Sequence, residues 1–196
     1  MTKAERTRQL IIEKTAPIFN QKGYAGTSLN DISEATGLTR GGIYGNFENK
    51  DEVALAAFDY NYGQFFGVIR GRIKEKSKAH EKLQVYINAY RHPELQAVLQ
   101  YGCPILNTAT ESDDTHPELR KRVIAAINRW HRGIEDIVKE GQERKEFRKS
   151  VDVKEFASVF IALIEGGVML VKATGNDSHI EAALRHAKKM IQEIRK

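Results

Sequence analysis

A chain of 196 residues with 41% apolar and 29% charged side chains has the composition of an ordinary soluble helical protein, long enough for one large core or two small ones. Its net charge of +5 and pI near 9.2 favour polyanionic partners, although residues 1–50 hold only seven Lys/Arg against five Asp/Glu. A single cysteine rules out an internal disulfide, and Met1–Arg6 has no apolar run that could serve as a signal peptide, so the expectation is a cytoplasmic protein in a reducing compartment.

In chain order, the first helix carries Arg6, Arg8 and Lys14, placed to flank a polyanion, and has Pro17 inside it. The ring removes one helical hydrogen bond, which predicts a bend at a cost of roughly 3 kcal/mol if unrelieved. From Thr27 to Lys50 the sequence TSLNDISEATGLTRGGIYGNFENK spells two short helices around one tight turn. Ser28 and Asp31 form a capping box, and Leu29, Ile32 and Ala35 share the face that follows. Gly37 ends this helix, Leu38 packs back, and Thr39 caps a second helix whose apolar side is Ile43 and Phe47. Two helices joined in this way outline a helix-turn-helix reader of duplex DNA.

The second helix offers chemistry for that task. Helix starts at Ser28 and Thr39 present amides to phosphates, Tyr44 and Lys50 add phosphate contacts, and Arg40 reaches towards a guanine edge. Gly41, Gly42 and Gly45 each cost an isolated helix about 0.8 to 1.0 kcal/mol relative to Ala, which close approach of the backbone to a groove would explain. The same spacing also suits an ordinary αα-hairpin.

Gly23-Tyr24, Thr27-Ser28, Asp31-Ile32, Gly37-Leu38-Thr39, Gly42-Ile43-Tyr44, Phe47 and Lys50, in this order and spacing, resemble the signature of the TetR family of bacterial transcription regulators. The resemblance runs from about residue 5 to about residue 64. It implies an all-α fold of about nine helices: a helix-turn-helix head over residues 1–50 and a ligand-binding and dimerisation body over residues 51–196. It also implies a homodimeric repressor on a palindromic operator in double-stranded DNA, released by a small-molecule inducer. The DNA contacts carried over are Thr27, Ser28, Thr39, Arg40, Gly41, Gly42, Tyr44, Asn46 and Lys50. Pro17 and Gly45 depart from the commonest family pattern, and Gly45 removes a side chain that relatives aim at phosphate.

Beyond the head, Asn49 with Asp51 and Glu52 starts a long helix that buries Val53, Ala57, Phe58, Phe65, Ile69 and Ile73 and links head to body. A shorter segment around Leu83 to Tyr90 ends at His92-Pro93, and a piece from Glu94 to Glu111 is interrupted by Gly102-Cys103-Pro104. Thr115 with Glu118, Asp152 with Glu155 and Ser178 with Glu181 read as caps of three further helices. Phe156 to Ala173 is the longest apolar stretch, but Glu165 at its centre argues for a buried helix and against a membrane span.

The last two helices carry Ala157, Phe160, Ala162, Gly166, Gly167, Leu170, Ala183, Ala187 and Met190, a mixture of small and large residues suited to a four-helix dimer interface or to packing within one subunit. Tyr62, Phe65, Phe66, Tyr86, Tyr90, Tyr101, Cys103 and Trp130 supply surface for an apolar or planar ligand, or simply core. Cys103 before Pro104 is a candidate sensor of electrophiles or oxidants, the alternative being an inert buried thiol. No metal or cofactor motif is present, since His179 and His186 stand seven apart and His116 and His131 have no adjacent ligand. With no GxSxG, P-loop or HExxH either, the sequence gives no support to an enzyme, and a helical carrier is the other class left.

Overall fold

The computed structural model describes residues 1–196, apart from the side chains of Glu94, Gln96 and Ala97. Among the described residues the chain is all-α, with a single isolated bridge between Phe147 and Arg195. In order the helices are α1 (Lys3–Gly26), α2 (Leu29–Thr36), α3 (Arg40–Tyr44), α4 (Lys50–Lys74), α5 (Ala79–Ala89), α6 (Pro93–Leu99), α7 (Pro104–Ser112), α8 (Pro117–Glu143), α9 (Val153–Thr174) and α10 (Ser178–Glu193). The count exceeds nine by one because the segment between Glu94 and Glu111 resolves into α6 and α7, the latter opened by Pro104, a residue suited to a first helical turn.

Two compact units emerge: Met1–Gln64 with Tyr101–Ile124, and Phe65–Gln100 with Ala125–Lys196. In the first, Ile11, Ile32, Ile43, Phe47 and Val53 form a buried cluster that Ile12, Phe19, Leu29 and Leu38 complete. Each such side chain contributes about 1.5 to 3 kcal/mol when fully buried, which is what holds helices as short as α2 and α3 in place. Asn49 caps α4 through its side-chain oxygen and the Glu52 amide at 2.9 Å, as the sequence predicts.

Three local expectations change. Within α1 the only non-helical residue is Gly23 (φ 74°, ψ 177°), so the break lies there and not at Pro17. The cap of α8 is His116, whose Nδ1 accepts the Leu119 amide at 3.2 Å, while the Thr115 hydroxyl turns back to the Glu111 carbonyl. Ser178 makes no box with Glu181; Glu181 pairs with Arg91 instead, and Asn176 Oδ1 accepts the Ser178 amide at 3.0 Å.

In the second unit α10 packs against α9 and α5. A Cβ on Gly167 would come within 2.8 Å of Ala183 Cβ, so the small residues here let α9 and α10 approach within one subunit. Ala157, Phe160, Gly167, Ala183 and Ala187, expected at a dimer interface, are accordingly buried inside the protomer. Ala162 and Leu170 remain exposed, Gly166 has nothing within 4 Å of its Cβ position, and Met190 is half-buried.

The aromatic residues expected to line a pocket are likewise divided. Tyr62, Tyr101 and Cys103 belong to the first unit, and Cys103 is fully buried at the start of α7. Phe65, Phe66, Tyr86 and Trp130 belong to the second and are packed on one another, with ring centroids 5.0 Å apart for Phe65–Phe66, 5.4 Å for Phe66–Trp130 and 6.4 Å for Tyr86–Trp130. Edge-to-face and stacked contacts at these distances make a core as it stands. Tyr90, half-buried, joins this set through Phe65 and donates to Glu165 Oε1 at 3.3 Å.

Candidate nucleic-acid interface

The surface that could meet DNA is built by three local decisions. Ser28 Oγ accepts the Asp31 amide at 3.1 Å while Asp31 Oδ2 accepts the Ser28 amide at 2.7 Å, which starts α2. Gly37 closes α2 in the left-handed region (φ 69°, ψ 14°), a conformation that side chains adopt only under strain. Thr39 is extended and its hydroxyl accepts the Gly42 amide at 3.2 Å, so α3 begins at Arg40.

Ile43, 1% exposed, then anchors α3 to the core, and Phe47 follows it inward just past the helix end. Arg40, Gly41 and Gly45 are left facing solvent together with Tyr44, which is 39% exposed. With five residues α3 has little dipole, so its contribution rests on side chains and on the bareness of its backbone. Arg40 Nη2 donates to Asn30 Oδ1 at 3.0 Å, which ties the guanidinium to α2; Asn30 was not singled out from the sequence.

The other expected contact residues are placed less uniformly. Ser28 and Thr39 are exposed, Gly42 and Asn46 half-buried. Asn46 donates its side-chain amide to the Gly42 carbonyl at 2.9 Å and so locks the turn after α3. Thr27 is a correction: it is fully buried and its hydroxyl donates to the Gly23 carbonyl at 2.6 Å, so its side chain does not face a ligand. Arg8 also has partners within the head: it lies 3.9 Å from the Phe47 ring centroid, donates to the Asn46 carbonyl and pairs with Glu52 at 2.6 Å, bracing the turn after α3.

Electrostatics hold this frame. Hydrogen bonds from Lys22 and from the Ser28 hydroxyl and amide keep the Asp31 carboxyl well below the usual carboxylate range. The Glu48 amide, and then Arg8, lower Glu52 in the same way. Tyr24 donates to Asp51, which with burial and the Asp51 charge pushes the phenol up to about 12. Lys50, half-buried like Tyr24, places its ammonium 4.4 Å over the Tyr24 ring, an attraction of about 0.5 to 2 kcal/mol.

Residues 11–57 match the family model described as bacterial regulatory proteins of the tetR family, and residues 79–187, over half of the chain, match the tetracyclin repressor-like C-terminal domain. The chain belongs to the TetR family. A TetR-family transcriptional regulator from Cytophaga hutchinsonii is 45% identical and superposes with a TM-score of 0.94 over 100% of this chain and 98% of its own. A TetR transcriptional regulator from Chloroflexus aurantiacus is 39% identical, with a TM-score of 0.87 over 100% of this chain and 99% of that one. The HTH-type transcriptional repressor DhaR of Mycobacterium sp. (strain GP1) is 23% identical over 178 residues, 90% of this chain and 88% of the relative. As a TetR-family member the chain is a DNA-binding transcriptional regulator.

Proposed function

We propose that this chain is a homodimeric repressor that reads a near-palindromic operator with α3 of each protomer and releases it when a small molecule binds. The observation that carries this reading is the outward Arg40–Tyr44 surface, anchored from behind by Ile43 and framed by two side-chain caps. Ser28 and Tyr44 are read as phosphate contacts, Arg40 as the reader of a base edge, Gly41 and Gly42 as sites of close approach, and Lys50 as a cation held near the backbone. The dimer is supported by α9, where Val159 is 48% exposed, Met169 50% and Leu170 39%, beside Ala162 and Gly166. An apolar face of that kind on a helix needs cover from a partner. The chain then works in the cytoplasm, where the chromosome lies.

The second unit supports a ligand site in two ways. A cavity of about 130 Å³ is lined by Ile69, Arg72, Val85, Asn88, His92 and Leu95, none of them from the expected aromatic set. Drug-sized ligands occupy roughly 300 to 1,000 Å³, so an occupant of that size would need side chains to move. In the aromatic cluster, Trp130 Nε1 is buried with no hydrogen-bond partner among the described residues, a donor that a ligand acceptor would satisfy. A shift in operator affinity of tenfold needs only about 1.4 kcal/mol of differential ligand binding between two states.

One arrangement bears on catalysis. His131 Nε2 lies 2.9 Å from Ser158 Oγ and its Nδ1 lies 2.8 Å from Glu135 Oε1, the order found in hydrolase triads. Ser158 sits inside α9, where backbone amides are spent on the helix and no oxyanion site is formed, so the trio is read as a pin between α8 and α9. The chain is accordingly taken as a regulator without catalytic activity.

The test is selection of duplexes from a random pool by the purified protein, followed by fluorescence anisotropy at several salt concentrations. Enriched near-palindromes, weaker binding of Tyr44→Ala and Lys50→Ala, and a salt slope smaller by about one unit for Lys50→Ala support the reading. Trp130 is the only tryptophan, so compounds that release the duplex should also change its emission. Failure to enrich any duplex at low salt would argue for a carrier.

A further inference from the structure

The break in α1 at Gly23 leaves hydrogen-bonding groups that an unbroken helix would pair with each other. In a continuous helix the Tyr24 amide donates to the Asn20 carbonyl and the Ala25 amide to that of Gln21. Here the positive φ at Gly23 turns the chain, and α7 supplies substitutes for both sides of the lost bond. Glu111 accepts the Tyr24 amide at 2.6 Å through one carboxylate oxygen and the Ala25 amide at 2.7 Å through the other. Asn107, one turn earlier on the same face, donates to the Asn20 carbonyl at 3.1 Å and to Asn20 Oδ1 at 2.8 Å. Asn20 in turn donates to the Gly102 carbonyl at 3.1 Å, just ahead of α7. The fit is close: a Cβ on Gly23 would lie 2.7 Å from Glu111 Cδ.

We propose that Asn107 and Glu111 are positioning residues for DNA recognition, acting as a template on α7 that holds α1 in its broken form and thereby fixes the start of α2. The proposal rests on the DNA-binding reading above and adds to it that the body's own helix sets the head. The path is short. Glu111 fixes Tyr24 and Ala25, Gly23 and Thr27 are joined through the Thr27 hydroxyl, and Ser28 follows as the cap of α2. Two charge-assisted hydrogen bonds to backbone amides are the strong kind, and a carboxylate is required because a Gln in its place would turn an amide NH2 towards one of the two donors. Both amides depend on the one carboxylate, so loss of Glu111 releases them together.

The experiment compares the wild type with Glu111→Ala, Glu111→Gln, Asn107→Ala and, as a control on the exposed side of α7, Thr110→Ala. Amide hydrogen exchange at Tyr24 and Ala25 and affinity for a duplex selected by the wild type are measured well below the unfolding temperature. Faster exchange at those two amides in both Glu111 variants, a loss of at least tenfold in affinity with a reduced salt slope, and no change in Thr110→Ala are expected. Exchange that stays at the wild-type rate, or affinity within twofold of wild type once those amides are released, overturns the proposal. A wild type that selects no duplex defeats the DNA-binding reading instead, and the exchange measurement still decides whether the template exists. Glu111→Gln retains the side-chain volume and covers the case in which Glu111→Ala does not fold.

Discussion

Asp31 shows how much a single side chain does in the head: it closes the capping box of α2 with Ser28 and pairs with Lys22 at 2.6 Å. Because its folded pKa is depressed, its stabilising effect is present above the unfolded value of about 3.9 and is lost as pH falls from there through the folded value. Urea denaturation of the wild type and Asp31→Asn should therefore differ at pH 6 to 8 and converge in strong acid. Tyr24 has the opposite sign. Its folded pKa is raised to about 12, so the advantage of wild type over Tyr24→Phe is complete below the ordinary value of 10.0 and fades as pH rises towards 12. The same measurement on Gly37→Ala should show a loss of about 1 to 2 kcal/mol from the left-handed backbone alone, since the added Cβ meets nothing within 4 Å. The caps at Ser28, Gly37 and Thr39 were legible because each depends on residue types within one helical turn. Thr27 was not, because its burial is decided by Gly23 four residues earlier, whose backbone turn no local pattern announces.

At the scale of helices, the boundary of α4 follows from its Asn49 cap and apolar spacing, α8 from apolar spacing with a cap one residue later than Thr115, and the long apolar α9 could be read from composition. What its two faces pack against could not. Small residues permit close approach either to a neighbour in the chain or to a second subunit, and spacing alone does not separate the two. In the structure Gly167 serves the first use, against Ala183, while Gly166 stands open. Two substitutions therefore part company. Gly167→Val overpacks the α9–α10 contact and should lower stability by about 1 to 3 kcal/mol without altering subunit number directly. Met169→Glu, at a position 50% exposed, should leave helix content and thermal stability of the isolated chain near wild type but shift sedimentation from dimer to monomer. Equal sedimentation of Met169→Glu and wild type would mean that the open face of α9 is not where two subunits meet.

For the molecule as a whole, the family signature covered the head, and the fold class followed from caps, periodicity and the absence of alternating segments. The division of labour did not follow. Residues 101–124 lie in sequence within the C-terminal family match, yet they form one compact unit with the head, because Asn107, Glu111 and His116 are long-range partners of α1 that sequence spacing cannot pair. The proposed repressor cycle requires two heads on one face of a duplex, which makes symmetry its most exposed claim. Chemical footprinting of the purified protein on a selected duplex tests it directly. Two protected blocks related by a two-fold axis are expected, with centres about 34 to 36 Å apart along the helix, and they should vanish in Arg40→Ala with Tyr44→Ala and at high salt. Protection of a single unsymmetrical block, or a footprint unchanged by the loss of Arg40 and Tyr44, would contradict it.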